Sequence, residues 1–307
     1  MKTFPVWYRF ELATVALVVA LFSSCGLFSS KDSSQDEAAV YVAFDKITLD
    51  TIVPLLETSE FPSLSIKVDV ECPVKAGSVD QLQSVGYLVS SLVDEGSNLG
   101  TVGPNVREMI DLCVSNHVAE YKTEGLEDLE NYRDDPEGAA TWLNYEYSLT
   151  GECVYNQDSI LSYRVTIFSY NGGAHGLYGS TCGVVNLAAC APIHLADFVT
   201  EESEPELTKL LKASVAREFK CPNFEALKSM DILFKADALA LTENFYVDSL
   251  GVTWHFDPYE IAPFSVGSIE ACIPWDQLHP LLPEGCDLLR LSSKYTTPVS
   301  DPNPDNK

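Results

Sequence analysis

From Leu64 to Glu71 apolar and polar residues alternate, Leu-Ser-Ile-Lys-Val-Asp-Val-Glu, which predicts a strand with one buried face. Ser78-Val-Asp-Gln81 has the spacing of a capping box and opens a predicted helix with the stripe Val79, Leu82, Val85, Leu88, Val89 and Leu92. Pro104 suits the first turn of a second helix, which buries Val106, Met109, Ile110, Cys113, Val114 and His117. The segment Glu124 to Gly138 is acidic and only weakly periodic. Strand patterns dominate after it. Leu143, Tyr145, Tyr147 and Leu149 alternate with polar neighbours, and Leu161 to Tyr170 forms a second run. Tyr178 to Leu187 is expected to pair antiparallel with Ile193 to Leu195 across the turn Ala188–Pro192. Ser203-Glu-Pro-Glu206 starts a third helix with the stripe Leu207, Leu210, Leu211, Val215 and Phe219, stopped by Pro222. Asn244 to Val247 and Gly251 to Phe256 predict a hairpin around Asp248–Gly251, and Ile269 to Trp275 a further strand. Strands grouped with helices between them, without regular βαβ spacing, place the chain in the α+β class: a mostly antiparallel sheet packed with about three helices.

The first residues follow a different pattern. Leu12 to Phe22 is apolar apart from Thr14 and lies behind Lys2 and Arg9. This run is too short for a permanent membrane span and suits the apolar core of a secretion signal. Leu21-Phe-Ser-Ser-Cys25-Gly26 resembles a bacterial lipobox, with Phe22 and Ser24 departing from its usual leucine and glycine or alanine. Residues 1–24 are therefore expected to be a leader and Cys25 the lipidated residue that attaches the protein to a bilayer. Residues 25–40, with the run Ser29-Ser-Lys-Asp-Ser-Ser-Gln-Asp-Glu37, read as a polar tether. Residues 41–168 read as an N-terminal α/β part and 169–291 as a C-terminal part integrated with it. Residues 292–307 are polar and proline-rich and are expected to be a disordered tail. The expected location is that of an exported bacterial lipoprotein, membrane-anchored in the periplasm or at the cell surface.

Charge narrows the partners. The net charge of −26 repels nucleic-acid phosphates and favours cationic partners. Removal of Lys2, Arg9 and Glu11 with the leader takes away two positive charges and one negative, which leaves −27 from −26. Beyond Cys25 the cysteines are Cys72, Cys113, Cys153, Cys182, Cys190, Cys221, Cys272 and Cys286. None has C-x-x-C spacing, so neither a zinc ribbon nor a redox motif is expected. Several fall within apolar patterns, and a mixture of one or two disulfides with buried thiols is expected in an exported chain.

Three stretches carry a resemblance: Tyr170-Asn-Gly-Gly-Ala-His-Gly176, Leu195-Ala-Asp-Phe198 before a helix, and Asp257-Pro-Tyr-Glu-Ile-Ala-Pro-Phe264 leading to Ile273-Pro-Trp275. In order and spacing they resemble the extracellular domain of RsiV-type anti-sigma factors, which binds lysozyme. The same domain type precedes the catalytic domain of PdaC-type peptidoglycan deacetylases. The resemblance spans roughly residues 60–290 and implies an α/β unit that recognises ligands at the cell envelope. The few residues before the apolar run leave no room for a cytoplasmic domain, and no deacetylase domain follows, so a recognition domain alone on a lipid tether is expected. Cys190 stands where the family often has glycine in the turn after a strand.

The glycines of Asn171-Gly-Gly-Ala-His-Gly176 permit positive φ and close backbone approach. The loop either presents Asn171, His175 and Tyr178 to a ligand or forms a tight connection in which His175 bonds a buried carbonyl, and the second is favoured. Glu260 either supplies a carboxylate near His175, giving an acid–base pair, or caps its turn while Tyr259 packs. His255 lies on the strand face opposite Trp254 and is expected at the surface. His117 falls on an apolar stripe and reads as core. No nucleophile elbow, zinc-protease motif, phosphate loop or calcium loop is present, and neither cofactor nor metal is expected. The candidate binding residues are thus Asn171, His175, Tyr178, His255, Tyr259 and Glu260, with no catalytic assignment. The leading expectation is a non-catalytic recognition lipoprotein for lysozyme or another cationic protein. A module for peptidoglycan fragments or another glycan comes second, and a hydrolase using His175 and Glu260 third.

Overall fold

β1 (Ala43–Pro54) and β2 (Ser63–Lys75) pair antiparallel, with Ile47 opposite Val70 and Leu49 opposite Val68. This is a computed structural model in which residues 41–57, 62–132 and 134–296 are described. The expected leader, Cys25 and tether, and the tail from residue 297, lie outside those residues. β2 runs parallel to β3 (Tyr145–Gln157), and the crossover between them is helical: α1 (Val79–Ser97), α2 (Val106–Leu129) and α3 (Pro136–Trp142). β4 (Ile160–Tyr170), β5 (Leu177–Asn186) and β6 (Ala191–Ile193) add antiparallel, so the strand order is β1-β2-β3-β4-β5-β6. A second antiparallel sheet follows, of β7 (Phe245–Val247), β8 (Gly251–Phe256) and β9 (Ile269–Pro274). Around it stand α4 (Glu204–Glu218), α5 (Phe224–Lys228), α6 (Trp275–Leu278) and α7 (Leu288–Thr296). The α+β class and the mostly antiparallel pairing are as predicted. The expected helices are α1, α2 and α4.

Side-chain alternation divides the large sheet between two cores. Leu161 and Val185 join Ile66, Val68, Leu149 and the buried sides of α1 and α2. Their chain neighbours Ile160 and Val184 join Leu207, Leu211, Trp254 and Phe256 in the second core. Ser78 caps α1 by accepting from the Gln81 N–H at 3.2 Å. Val79, counted in the predicted stripe, is 70% exposed because it lies in the first turn, ahead of the face that meets the sheet. Pro104 precedes the helix: Asn105 is the cap of α2, and Gly86 lets α1 pass against the Pro104 carbonyl. The acidic segment after Glu124 continues α2 to Leu129 and then makes α3.

Two expectations fail in this part of the molecule. Residues 292–296, assigned to a disordered tail, complete α7. Leu288 and Leu291 anchor it in the core, and the Lys294 ammonium donates to Asp158 at 2.7 Å. Asp158 and Ser159 form the two-residue β3–β4 turn, both with φ near +60°, so the tail helix clasps a hairpin that local sequence does not specify. Among the described residues no disulfide forms either: the eight cysteines beyond Cys25 are free. They are dispersed: Cys72, Cys113 and Cys153 pack in or against one core, with Cys113 Sγ 2.9 Å from the Tyr147 hydroxyl, and Cys221 and Cys286 against the other. Burial pushes the Cys153 and Cys182 thiols up to about 12, which keeps them neutral.

Candidate functional site

The loop between β4 and β5 carries the glycine-rich motif. Gly172 and Gly173 have φ of 79° and 103°, and a Cβ on Gly172 would lie 2.5 Å from the Trp142 carbonyl oxygen. Glycine is required there on both counts. The loop is closed by the Tyr170 hydroxyl donating to the Gly173 carbonyl at 3.0 Å. The second motif forms a turn after β8. The Glu260 carboxylate accepts from the Asp257 N–H at 2.9 Å, the Glu260 N–H donates to the Asp257 carbonyl at 3.1 Å, and Tyr259 takes a φ of 71°. A non-glycine residue in that region is strained.

The two loops meet. The His175 ring stacks on Phe264 at 4.1 Å and 16°, Tyr259 stacks on Phe264 at 5.6 Å, and Tyr178 meets Phe264 edge-on at 6.2 Å. The His175 Nδ1–H donates to the Gly176 carbonyl at 3.0 Å, while Nε2 stands 3.4 Å from the Tyr259 hydroxyl. His175 is exposed and Tyr259 is 50% exposed. The favoured reading of His175 as a buried imidazole is therefore corrected: its carbonyl partner is its own neighbour, and its ring faces outward because Phe264 supports it from below. Tyr259 contributes to a surface cluster instead of packing away. Tyr178 and Tyr259 also line a cleft of about 590 Å³ with Glu95, Thr181, Asn244 and Asp257.

Behind this surface runs a charged relay. The buried His255 reaches Asp257 through Nε2 at 3.0 Å and Glu270 through Nδ1 at 3.4 Å. Arg164 meets the same Glu270 oxygen at 3.0 Å, and the Tyr246 hydroxyl donates to its other oxygen at 2.8 Å. Desolvation pulls the imidazole down, but the hydrogen bonds and charges of Asp257 and Glu270 outweigh it and hold His255 at about 9. The His255 hydrogen bond holds Glu270 down at about 2, aided by Tyr246 and Arg164. His255 is thus an interior cation and not a surface ligand group. Alternation relative to Trp254 failed to show this because β8 is the middle strand of its sheet and every one of its residues is buried.

The relay ends on backbone. Asp257 accepts from the Ser180 N–H at 2.8 Å, and Asn244 accepts from the Cys182 N–H and donates to the Ser180 carbonyl, both at 2.9 Å. These two side chains satisfy the stretch of β5 that β6 is too short to pair. Gly179 leaves the room: a Cβ there would stand 2.9 Å from the Asp257 carboxylate.

Of the six candidates, His175, Tyr178 and Tyr259 converge. Asn171 is exposed at the start of the loop, outside the ring cluster. Glu260 is turned onto Asp257, and among the described residues no hydrogen bond or ion pair joins it to His175. Sequence reasoning missed Phe264, Asp257, Asn244 and Glu270. Phe264 and Asp257 had a local signal, as the two ends of the second motif, which did not reveal their roles. His117 is half-buried at the margin of the core: its ring lies tilted against Tyr147 at 3.8 Å and it bonds the Cys113 carbonyl at 2.9 Å. Cys190 takes φ 53°, the left-handed geometry that glycine would supply in that turn. A separate apolar cavity of about 470 Å³, between α1 and β5, is lined by Tyr87, Leu92, Val102, Ile193 and Phe245 and includes none of the candidates.

Comparison with known proteins follows this division. The profile described as deacetylase PdaC matches residues 65–178, which end in the glycine-rich loop and the start of β5. The profile described as a protein of unknown function, DUF3298, matches residues 196–276, which hold the second motif and the relay's His255 and Glu270. A DUF3298-family crystal structure from Bacteroides fragilis is similar with a TM-score of 0.71 and 25% identity, over 82% of this chain and 98% of that one. A DUF3298-family structure from Pseudomonas aeruginosa shares the fold, with a TM-score of 0.54 and 14% identity over 79% of this chain and 95% of that one. No curated protein matches the chain. The chain therefore carries a PdaC-like segment followed by a DUF3298 segment, and the candidate site is formed where the end of the first meets the second.

Proposed function

We propose that this protein is a non-catalytic recognition module of the bacterial cell envelope, of the RsiV-like type, which holds a cationic protein such as lysozyme. One observation carries the reading. The residues of both motifs assemble an open aromatic surface, while the groups needed for acid–base chemistry are turned elsewhere: His175 Nδ1 to Gly176 and Glu260 to Asp257. The net charge of −26 favours a cationic partner and speeds encounter with it. Attraction of that kind is generic, since exposed pairs contribute about 0–1 kcal/mol each and weaken with salt. The test is titration calorimetry against lysozyme at low salt and at about 0.15 M, where the Debye length is roughly 8 Å. Binding that persists at the higher salt and is weakened about tenfold or more by Tyr259→Ala supports a shaped interface. Binding that vanishes there removes the protein-recognition reading.

A second reading, recognition of a peptidoglycan fragment or another glycan, is favoured by the half-exposed Tyr259 ring beside His175 and Phe264. Aromatic faces suit the apolar faces of sugars. Export and lipid attachment at Cys25 belong to the same proposal and rest on the lipobox-like run and the polar spacer. A fatty-acid analogue should label the wild type and leave Cys25→Ser unlabelled; equal labelling of both rules attachment at Cys25 out.

A further inference from the structure

β1 is the outer strand of the six-stranded sheet, and among the described residues β2 is its only strand neighbour. Its free edge presents a row of backbone N–H and C=O groups along 12 residues. Sheet edges are commonly blunted by charge, and β1 carries Asp45, Lys46 and Asp50. A set of one sign would repel a second copy. The order of these charges does the opposite. Antiparallel pairing of two β1 strands about a two-fold axis at Thr48 sets position 46 opposite 50, 47 opposite 49 and 45 opposite 51. Lys46 then meets Asp50 twice, Ile47 meets Leu49 twice, Asp45 meets Thr51 twice, and Thr48 meets its own copy. Every pair joins residues on the same sheet face, as cross-strand partners must.

The present surroundings of these residues suit that arrangement. Lys46 contacts Asp69 at 2.8 Å, yet both side chains are more than half exposed, at 59% and 53%. An ammonium with three donors has room there for a second carboxylate. Ile47 is 8% exposed and Leu49 is 38% exposed, so the apolar pair extends a buried stripe outward. Ile52, at 66%, is another apolar side chain on the same strand left in water. We propose that β1 is a homodimer interface, in which two copies pair edge to edge as a closed two-fold dimer with one continuous sheet. β5, which opens the candidate site, lies four strands away in the sheet order, so dimerisation leaves that surface free.

The charge order supplies its own test, by sedimentation analysis of the full chain over a range of concentrations. The wild type should shift from one to two copies as concentration rises. Lys46→Asp and Asp50→Lys should each stay monomeric, since each places like charges opposite one another twice. An equimolar mixture of those two variants should recover the dimer, because one chain then presents two acids to the other's two lysines. The double variant Lys46→Asp/Asp50→Lys should also dimerise. Far-UV circular dichroism checks that each variant is folded, and recovery in the mixture separates a lost interface from a damaged strand. A wild type that stays monomeric at every attainable concentration overturns the proposal. A dimer that both single variants leave intact overturns it as well.

Discussion

At the scale of single residues, the histidines show how far a strand or loop pattern can mislead about solvent. His175 lies next to three glycines in a loop that reads as a tight connection, and it is exposed. His255 alternates with a buried tryptophan, and it is buried as well. Its burial is tolerated because two carboxylates flank it, Asp257 and Glu270, with Arg164 and Tyr246 completing the surroundings. The consequence is a pH dependence. The folded value of about 9 lies above the ordinary 6.5, so the protonated state is favoured by folding. That stabilisation is fully present below 6.5 and is lost as pH rises through about 9. Urea unfolding from pH 6 to 10 should show a decline in the wild type across that window. His255→Gln should cost roughly 1.5–3 kcal/mol at pH 7, as for lost hydrogen bonds to charged groups, and should show a shallower decline. Buried cysteines and tyrosines add their own alkaline slope to both proteins, so the difference between the two curves is the quantity to read. Parallel curves would mean that His255 is not the titrating group.

At the scale of elements, the helices and most strands were legible because each buries one periodic face. α1, α2 and α4 carry stripes at helical spacing, β2 and β3 alternate along most of their length, and β4 alternates apolar and polar residues from Leu161 to Ile167 although both of its faces are covered. β1 was not legible. Only Ile47 in it is fully buried, so the residues Phe44 to Ile52 show no strong amphipathic signal. α7 was missed for a different reason. Its polar composition reads as tail, and only contacts remote in sequence order it: Lys294 and the Arg290 guanidinium on Asp158, and the Tyr295 hydroxyl 3.2 Å from that of Tyr155. The candidate site falls between these cases. Its two motifs could be marked along the chain, yet their meeting at Phe264 depends on β5 and the turn after β8 lying side by side, which no local pattern encodes. Of the groups that hold them together, Asp257 opens the second motif but Asn244 is a single polar residue without one, and the role of each could be recognised only through the backbone it satisfies.

At the scale of the whole molecule, the question is whether the PdaC-like and DUF3298 segments are separable. The described residues belong to one compact unit, and the bonds that cross between the segments are of the buried kind. The Ser162 hydroxyl donates to the Val247 carbonyl at 2.7 Å and accepts from the Val247 N–H at 3.0 Å, which ties β4 to β7. Arg164 of β4 reaches Glu270 of β9, and Asn244 and Asp257 bind the part of β5 that lies just beyond the end of the first segment. Ile160 and Val184 of the large sheet share their core with Trp254 and Phe256 of the small one. Removing either segment would expose that core and leave several polar groups unpaired, each at about 1–3 kcal/mol. Neither segment is therefore expected to hold its structure alone, and thermal unfolding should be a single transition with equal calorimetric and van't Hoff enthalpies. Asn244→Ala, which strands two backbone groups of β5, should lower the midpoint by several degrees at about 2–4 °C per kcal/mol for a chain of this size, without dividing the peak. Two resolved transitions in the wild type, or a variant whose peak splits, would show instead that the segments fold as independent domains and that the candidate site is assembled by docking.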